Sequence, residues 1–197
     1  MQDGIPEVES EADADLGREM RRVRKTRGLS LEEVAKRARV STGLVSQIER
    51  GIVSPSIRSL RQLSKALDVP VSWFFHADEP GIQKDSEVIV RASHRRRLTL
   101  TKSGVLKELL TPSSSEKLQM FLITLEPNAS TGPEPNEGTG EKCGIVLVGA
   151  LELVIDGRVY ALWEGDSFAF DSSRPHFVSN PGSTVTRALW ITTPPIY

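Results

Sequence analysis

Between Ser30 and Gly51 the chain encodes two short helices joined by a tight turn, and no other segment limits its fold so strongly. Ser30 with Glu33 is an S-x-x-E capping box, which gives the first helix a defined start. Leu31, Val34, Ala35 and Ala38 recur at the helical apolar period. Ser41 caps the second helix, whose inner face is Leu44, Val45 and Ile48, and Gly51 ends it. Thr42, Gly43, Ser46, Gln47 and Arg50 then share the opposite face, all small or polar. A helix that turns short hydrogen-bonding side chains outward, braced by a preceding helix, is the geometry that enters a DNA major groove.

Charge supports that reading once the chain is divided. The whole sequence carries a net charge of −1, which decides nothing. Residues 16–76 hold thirteen Lys and Arg against five Asp and Glu, a net of +8. That is the electrostatic footprint of phosphate binding. Residues 1–15 hold six acids, no bases and few apolar side chains, so a disordered acidic tail is expected there. No run of eighteen apolar residues exists, which argues against a membrane span, and the acidic N-terminus is unlike a signal peptide. A single cysteine, Cys143, rules out an intrachain disulfide framework and a cysteine-based zinc site. The expected location is the bacterial cytoplasm, at the nucleoid.

Around the central pair, a first helix carries Leu16, Met20 and Val23 inward and stops at Gly28. The Ser54-Pro55-Ser56 turn leads into a fourth helix with Ile57, Leu60, Leu63 and Leu67 at core spacing. Val71, Trp73, Phe74 and Phe75 form a short fifth helix that packs its aromatics into the core rather than offering them to bases.

The segment 16–75 resembles the helix-turn-helix domain of the Xre-like regulators, the group that includes the lambdoid phage repressors. The matching runs are Leu-Ser-Leu-Glu-Glu-Val-Ala, Val-Ser-x-x-x-Val-Ser-x-Ile-Glu-x-Gly, Ser-Pro-Ser-x-x-x-Leu and Leu-Asp-Val-Pro-Val-Ser-Trp-Phe-Phe. The resemblance implies a five-helix bundle. It places Ser41, Thr42, Gly43, Ser46 and Gln47 at or near base edges, and Arg50, Ser54, Ser56 and Arg58 against phosphates. An amide such as Gln47 can pair bidentately with adenine, whereas phosphate contacts set affinity and register. Gly43 departs from the phage proteins and permits close approach of the backbone.

From 77 to 86 Asp78, Glu79, Pro80 and Gly81 suggest a linker. Beyond it the pattern is all short strands, at 88–90, 97–101, 107–110, 118–125, 145–147, 151–155, 159–162, 167–170, 176–179 and 186–192. Asp156-Gly157 between two alternating runs is a two-residue hairpin signal. Such spacing implies a barrel or jelly roll. The fold class is therefore multidomain α + β, a five-helix bundle over 16–76 followed by an all-β domain over 87–197.

The runs 144–157 and 162–171, with Pro175-His176 and Asn180-Pro181, resemble a small cupin, and a helix-turn-helix followed by a cupin is a bacterial regulator layout. A metal-binding cupin has two histidines and a glutamate on its first motif and one histidine on its second. Here Asn136, Gly138 and Lys142 stand at the first three positions and only His176 remains. One imidazole beside an ammonium is no transition-metal site, so no metal, no cofactor and no catalytic residue is expected. The competing ligand set is Glu134, Glu137 and Glu141 with His176. By resemblance Lys142 and His176 point into the barrel, with Phe121 and Phe168 as apolar walls, where they would hold a small carboxylate effector. The nearby glutamates would favour an amine instead.

Cys143 reads as a small buried hydrophobe, with a redox sensor as the alternative. Arg95-Arg96-Arg97 reads as a solvated strand entry or a dimer salt-bridge patch, or else as an extension of the DNA-contacting surface. The function implied is a sequence-specific transcriptional regulator, a repressor, acting as a homodimer on a palindromic double-stranded operator. The alternatives are a cupin enzyme with an appended DNA-binding module, or a barrel that serves dimerisation alone.

Overall fold

Three serines start the helices of the first unit. Ser30, Ser41 and Ser56 take extended backbone angles, and each hydroxyl accepts a hydrogen bond, at 3.1 Å, from the backbone N–H three residues on. They begin α2 (Leu31–Ala38), α3 (Thr42–Glu49) and α4 (Ile57–Leu67), which follow α1 (Val8–Thr26). At α2 the capping box is complete, because the Ser30 N–H donates to Glu33 Oε2 at 2.7 Å. That bond holds the Glu33 carboxyl below its ordinary pKa. The computed structural model describes residues 8–69, 71–74, 88–100, 103–112, 114–115, 117–132 and 139–195. The expected linker, 77–86, lies outside the described residues.

Three expectations about this unit need correction. The fifth helix is a single 3-10 turn, Val71–Phe74, so the unit has four α-helices among its described residues. Four residues following a proline offer too few backbone bonds for an α-helix to propagate. Phe74 and Val71 are buried as expected, but Trp73 is 45% exposed and donates its indole N–H to Glu19 Oε1 at 2.8 Å. Phe75 lies outside the described residues. The acidic segment expected to be disordered to residue 15 is helical from Val8. Alanines 12 and 14 favour helix, acidic side chains suit the positive end of the helix dipole, and Leu16 anchors the segment in the core.

Helix α1 lies unusually close to α3. A Cβ added at Gly17 would come within 2.3 Å of the Ile48 carbonyl oxygen, so only glycine permits this approach. The contact is locked by charge. Arg24 donates from Nε and Nη2 to the two carboxylate oxygens of Glu49, at 2.6 and 2.8 Å, and from Nη1 to the Leu29 carbonyl at 2.9 Å. Both side chains are largely withdrawn from solvent, and the Glu49 hydrogen bond raises the guanidinium pKa.

The second unit is built on strands β1 (Arg96–Leu100), β2 (Val105–Leu109), β3 (Gln119–Leu125), β4 (Glu141–Val148), β5 (Ala150–Ile155), β6 (Arg158–Trp163), β7 (Ser167–Asp171), β8 (His176–Ser179) and β9 (Thr186–Thr193). They form a six-stranded sheet, β1-β2-β3-β9-β4-β7, and a three-stranded sheet, β6-β5-β8. Asp156 and Gly157 both take positive φ, the two-residue turn expected between β5 and β6. The described strands form two separate sheets rather than the closed barrel expected. Side chains such as Phe170 and His176, with ring centroids 4.8 Å apart, bridge them. The run 88–90 is no strand. Val88 is 82% and Ile89 48% exposed, and the segment has no strand assignment.

Removing Glu49 tests the α1–α3 lock. Glu49→Ala leaves a guanidinium buried without its partner, at a cost of about 3–5 kcal/mol. Chemical denaturation followed by helical circular dichroism should show this loss, and Glu49→Gln should recover part of it.

Candidate functional site: nucleic-acid face and sandwich interior

Helix α3 is held from behind by Val45, Ile48 and the Glu49 carboxylate, all buried. Its front carries Thr42, Gly43, Gln47 and Arg50 exposed, with Ser46 half-buried between them. Leu44, expected inside, is only half-buried at the first turn. Ser41 spends its hydroxyl on capping, and Arg50 Nε donates to the Ser46 carbonyl at 3.2 Å, which lays the guanidinium back along the helix. A Cβ at Gly43 would meet nothing nearer than Ser41 Oγ at 3.9 Å, so the protein's own packing does not require glycine there.

At the start of α4, Arg58 is exposed and the Ser56 hydroxyl caps the helix while lying 3.0 Å from Ser59 Oγ. Ser54 is the exception among the expected phosphate contacts. It is only 8% exposed, because the Ser54-Pro55 turn tucks inward ahead of Ile57, and its hydroxyl has no hydrogen-bond partner among the described residues. The exposed or half-buried set is therefore Ser41, Thr42, Gly43, Ser46, Gln47, Arg50, Ser56 and Arg58.

In the second unit, strand register aligns the inward side chains in rows. One row runs Gln119, Thr192, Lys142, Phe170 across β3, β9, β4 and β7. The next runs Phe121, Trp190, Gly144, Phe168. A Cβ at Gly144 would lie 2.6 Å from Phe168 Cζ, so the glycine lets the Phe168 ring lie over the sheet, 4.7 Å from the Trp190 ring. Of the four expected effector residues, Lys142 lies in the polar row and Phe121 and Phe168 in the aromatic row, with Lys142 and Phe121 buried and Phe168 half-buried, while His176 belongs to the other sheet.

Lys142 and His176, each 3% exposed, meet across the two sheets with Nζ 2.5 Å from Nε2. An ammonium can only donate, so Nε2 is the acceptor. The other ring nitrogen, Nδ1, lies 2.6 Å from the Arg174 carbonyl and donates to it. This fixes the Nδ1–H tautomer and commits both ring nitrogens. Both ring nitrogens of His176 are thus hydrogen-bonded within the protein, one to Lys142 and one to the Arg174 carbonyl.

The competing acidic ligand set does not assemble among the described residues. Glu141 is exposed on the outer face, one residue out of phase with Lys142, while Glu134 and Glu137 lie outside the described residues, as do Asn136 and Gly138. No group of three or more His, Cys, Asp or Glu that could hold a metal ion occurs among the described residues. Cys143 is half-buried, not fully buried, because the same alternation turns it outward, where it lines a shallow groove of about 210 Å³ with Ala169 and Ile191. Arg97 and Arg95 both approach Glu108 of the same chain, at 3.3 and 3.9 Å.

Sequence reasoning missed three of the residues that shape these sites. Glu49 sits in the recognition helix but faces backward. Gln119 and Thr192 share strand parity with the buried Phe121 and Trp190, and that parity was the available signal.

Comparison with known proteins settles the family. Residues 20–74 match the helix-turn-helix family and residues 121–192 the cupin domain family. The HTH-type transcriptional regulator PuuR of Escherichia coli is 30% identical over 179 residues, covering 90% of this chain and 94% of PuuR. The chain belongs to the HTH-type transcriptional regulators, in the family of PuuR. SutR, another regulator of E. coli, is 25% identical over 167 residues, covering 85% of this chain and 88% of SutR. A crystal structure of an HTH_3 family transcriptional regulator from Vibrio cholerae superposes with a TM-score of 0.65 at 24% identity, covering 94% of this chain and 98% of that one, and shares the two-part fold. Membership in the PuuR family implies DNA binding. No helix among the described residues is long and apolar enough to cross a membrane.

The tautomer is directly measurable. In nitrogen-correlated spectra at neutral pH, His176 Nδ1 should resonate as a protonated nitrogen and Nε2 as an unprotonated one. The reverse pattern would remove the Lys142 hydrogen bond.

Proposed function

We propose that this chain is a sequence-specific repressor that binds a palindromic operator as a homodimer and releases or retains it in response to a small carboxylate bound between the sheets of its cupin domain. One observation carries the DNA-binding part. The face of α3 bearing Thr42, Gly43, Ser46 and Gln47 is open, while the opposite face is pinned by Val45, Ile48 and the Arg24–Glu49 pair. A rigidly held helix with a polar front inside a segment of net charge +8 suits a major groove flanked by phosphates. One such unit spans one half-site, so a two-fold dimer would read two half-sites about 34 Å apart, or a multiple of that.

The effector part is supported by Lys142. It places a positive charge in an interior walled by Phe121, Phe168 and Trp190, held in one position by His176. A carboxylate is the natural partner for a fixed ammonium in apolar surroundings. The enzyme reading is disfavoured by the same geometry. With both nitrogens of His176 committed, the ring has no position left for acid–base work on a ligand.

For the DNA face, Gln47→Ala is expected to cost about 1–3 kcal/mol on the preferred operator and to relax base preference at one position per half-site. Arg58→Ala should weaken all sequences alike and flatten the salt dependence by about one unit of slope. Equilibrium binding to operator and random duplexes at several salt concentrations separates the two. Equal losses on both duplexes for Gln47→Ala would put the recognition face elsewhere.

For the interior, a thermal-shift screen of short carboxylates and amines is the test. Carboxylates should raise the Tm of the wild-type chain and lose that effect in Lys142→Ala. Stabilisation by amines alone, unchanged in the variant, contradicts the carboxylate reading.

A further inference from the structure

Thr192 lies between Gln119 and Lys142 in the polar row, opposite Gln119 on β3 and opposite Lys142 on β4. It is 2% exposed, and its Oγ1 has no hydrogen-bond partner among the described residues. A β9 threonine with an outward neighbour on either side cannot turn its hydroxyl to solvent, and burying a hydroxyl without a partner destabilises the fold. The group is explained if something enters the interior and bonds to it.

The neighbours narrow what that something is. Adjacent strands stand about 4.8 Å apart at the backbone, and Thr192 rises from the strand between those that carry Lys142 and Gln119. The ammonium end is fixed, because His176 holds Lys142 in place. Behind this row stand the rings of Phe121, Trp190 and Phe168, which suit a short carbon skeleton. A carboxylate on Lys142 puts its own α- or β-carbon beside Thr192.

We propose that Thr192, with Gln119 beyond it, is the specificity-determining part of the effector site, and that the ligand class is a short hydroxy- or oxo-acid rather than an unsubstituted one. The oxygen on the α- or β-carbon bonds to the Thr192 hydroxyl, and the Gln119 amide bounds the far end of the ligand. An unsubstituted acid leaves Thr192 as it found it, buried and unbonded. Sites built to hydrogen-bond a ligand hydroxyl reject the analogue that lacks it. The inference rests on the reading of Lys142 as the carboxylate anchor.

The test is calorimetric titration of the full-length chain with butyrate, 2-hydroxybutyrate, 3-hydroxybutyrate and 2-oxobutyrate. At least one substituted acid should bind about tenfold or more tightly than butyrate. Thr192→Val, which keeps the shape and removes the hydroxyl, should bring that ratio near one, whereas Thr192→Ser should keep it. Should Thr192→Val fail to melt cooperatively, Thr192→Ser and Gln119→Met carry the test, the second expected to weaken 3-hydroxybutyrate, whose oxygen lies one carbon further from the carboxylate, more than butyrate. Equal binding of all four acids, or a ratio unmoved by Thr192→Val and Gln119→Met, overturns this inference and leaves Lys142 as the anchor. Binding of none of the acids, or only of amines, overturns the anchor and the inference together.

Discussion

The paired hydrogen bonds from Arg24 to Glu49 hold the recognition helix where it stands. Three short helices, none longer than eleven residues, cannot persist on their own in water. Their order comes from packing on one another and, for α3, against α1, which approaches closely enough only because residue 17 is glycine. Once that approach is made, a guanidinium and a carboxylate become buried together and each needs the other. The pair therefore sets the height and rotation of α3, and with them the direction in which Gln47 points.

A comparable logic governs the second unit, where the organising rule is strand parity. Along β4, Lys142 faces in while Glu141 and Cys143 face out. Along β9, Thr192 and Trp190 face in while Thr193 and Ile191 face out. A one-residue slip in either strand would exchange the polar row for the outer surface. Gly144 and Phe168 pin the register sterically, since the ring fills the space that a side chain at 144 would occupy. The cross-sheet bond from Lys142 to His176 adds an electrostatic pin at the same level.

Most of the helical unit was legible in the chain because its signals are local. Ser30, Ser41 and Ser56 announce their helices through caps that act within three residues, and Leu60, Leu63 and Leu67 mark their face by period alone. The misjudged parts depend on partners distant in sequence. Residues 8–15 look too acidic to fold until Leu16 anchors them, and Ser54 looks available until Pro55 tucks it inward. In the sheets, strand existence was plain from alternation and turns, and the inward orientation of Lys142 followed from the family pattern. The commitment of both His176 nitrogens was not legible, because the Arg174 carbonyl that fixes the ring is a backbone atom with no signature in side-chain sequence. Nor was the role of Thr192, which depends on β9 lying between β3 and β4, a placement that chain order does not suggest.

The open space in front of Gly43 has an evolutionary consequence. Glycine near the start of a helix lowers helix propensity by up to about 1 kcal/mol relative to alanine, and nothing inside the protein requires it there. A replacement at 43 would be judged only by the surface that α3 faces, not by the core that α3 rests on. On the DNA-binding reading proposed above, operator preference can drift at this position in single steps, without passing through unstable intermediates. The helix keeps its packing on one face and its open surface on the other, and position 43 lies wholly on the open side.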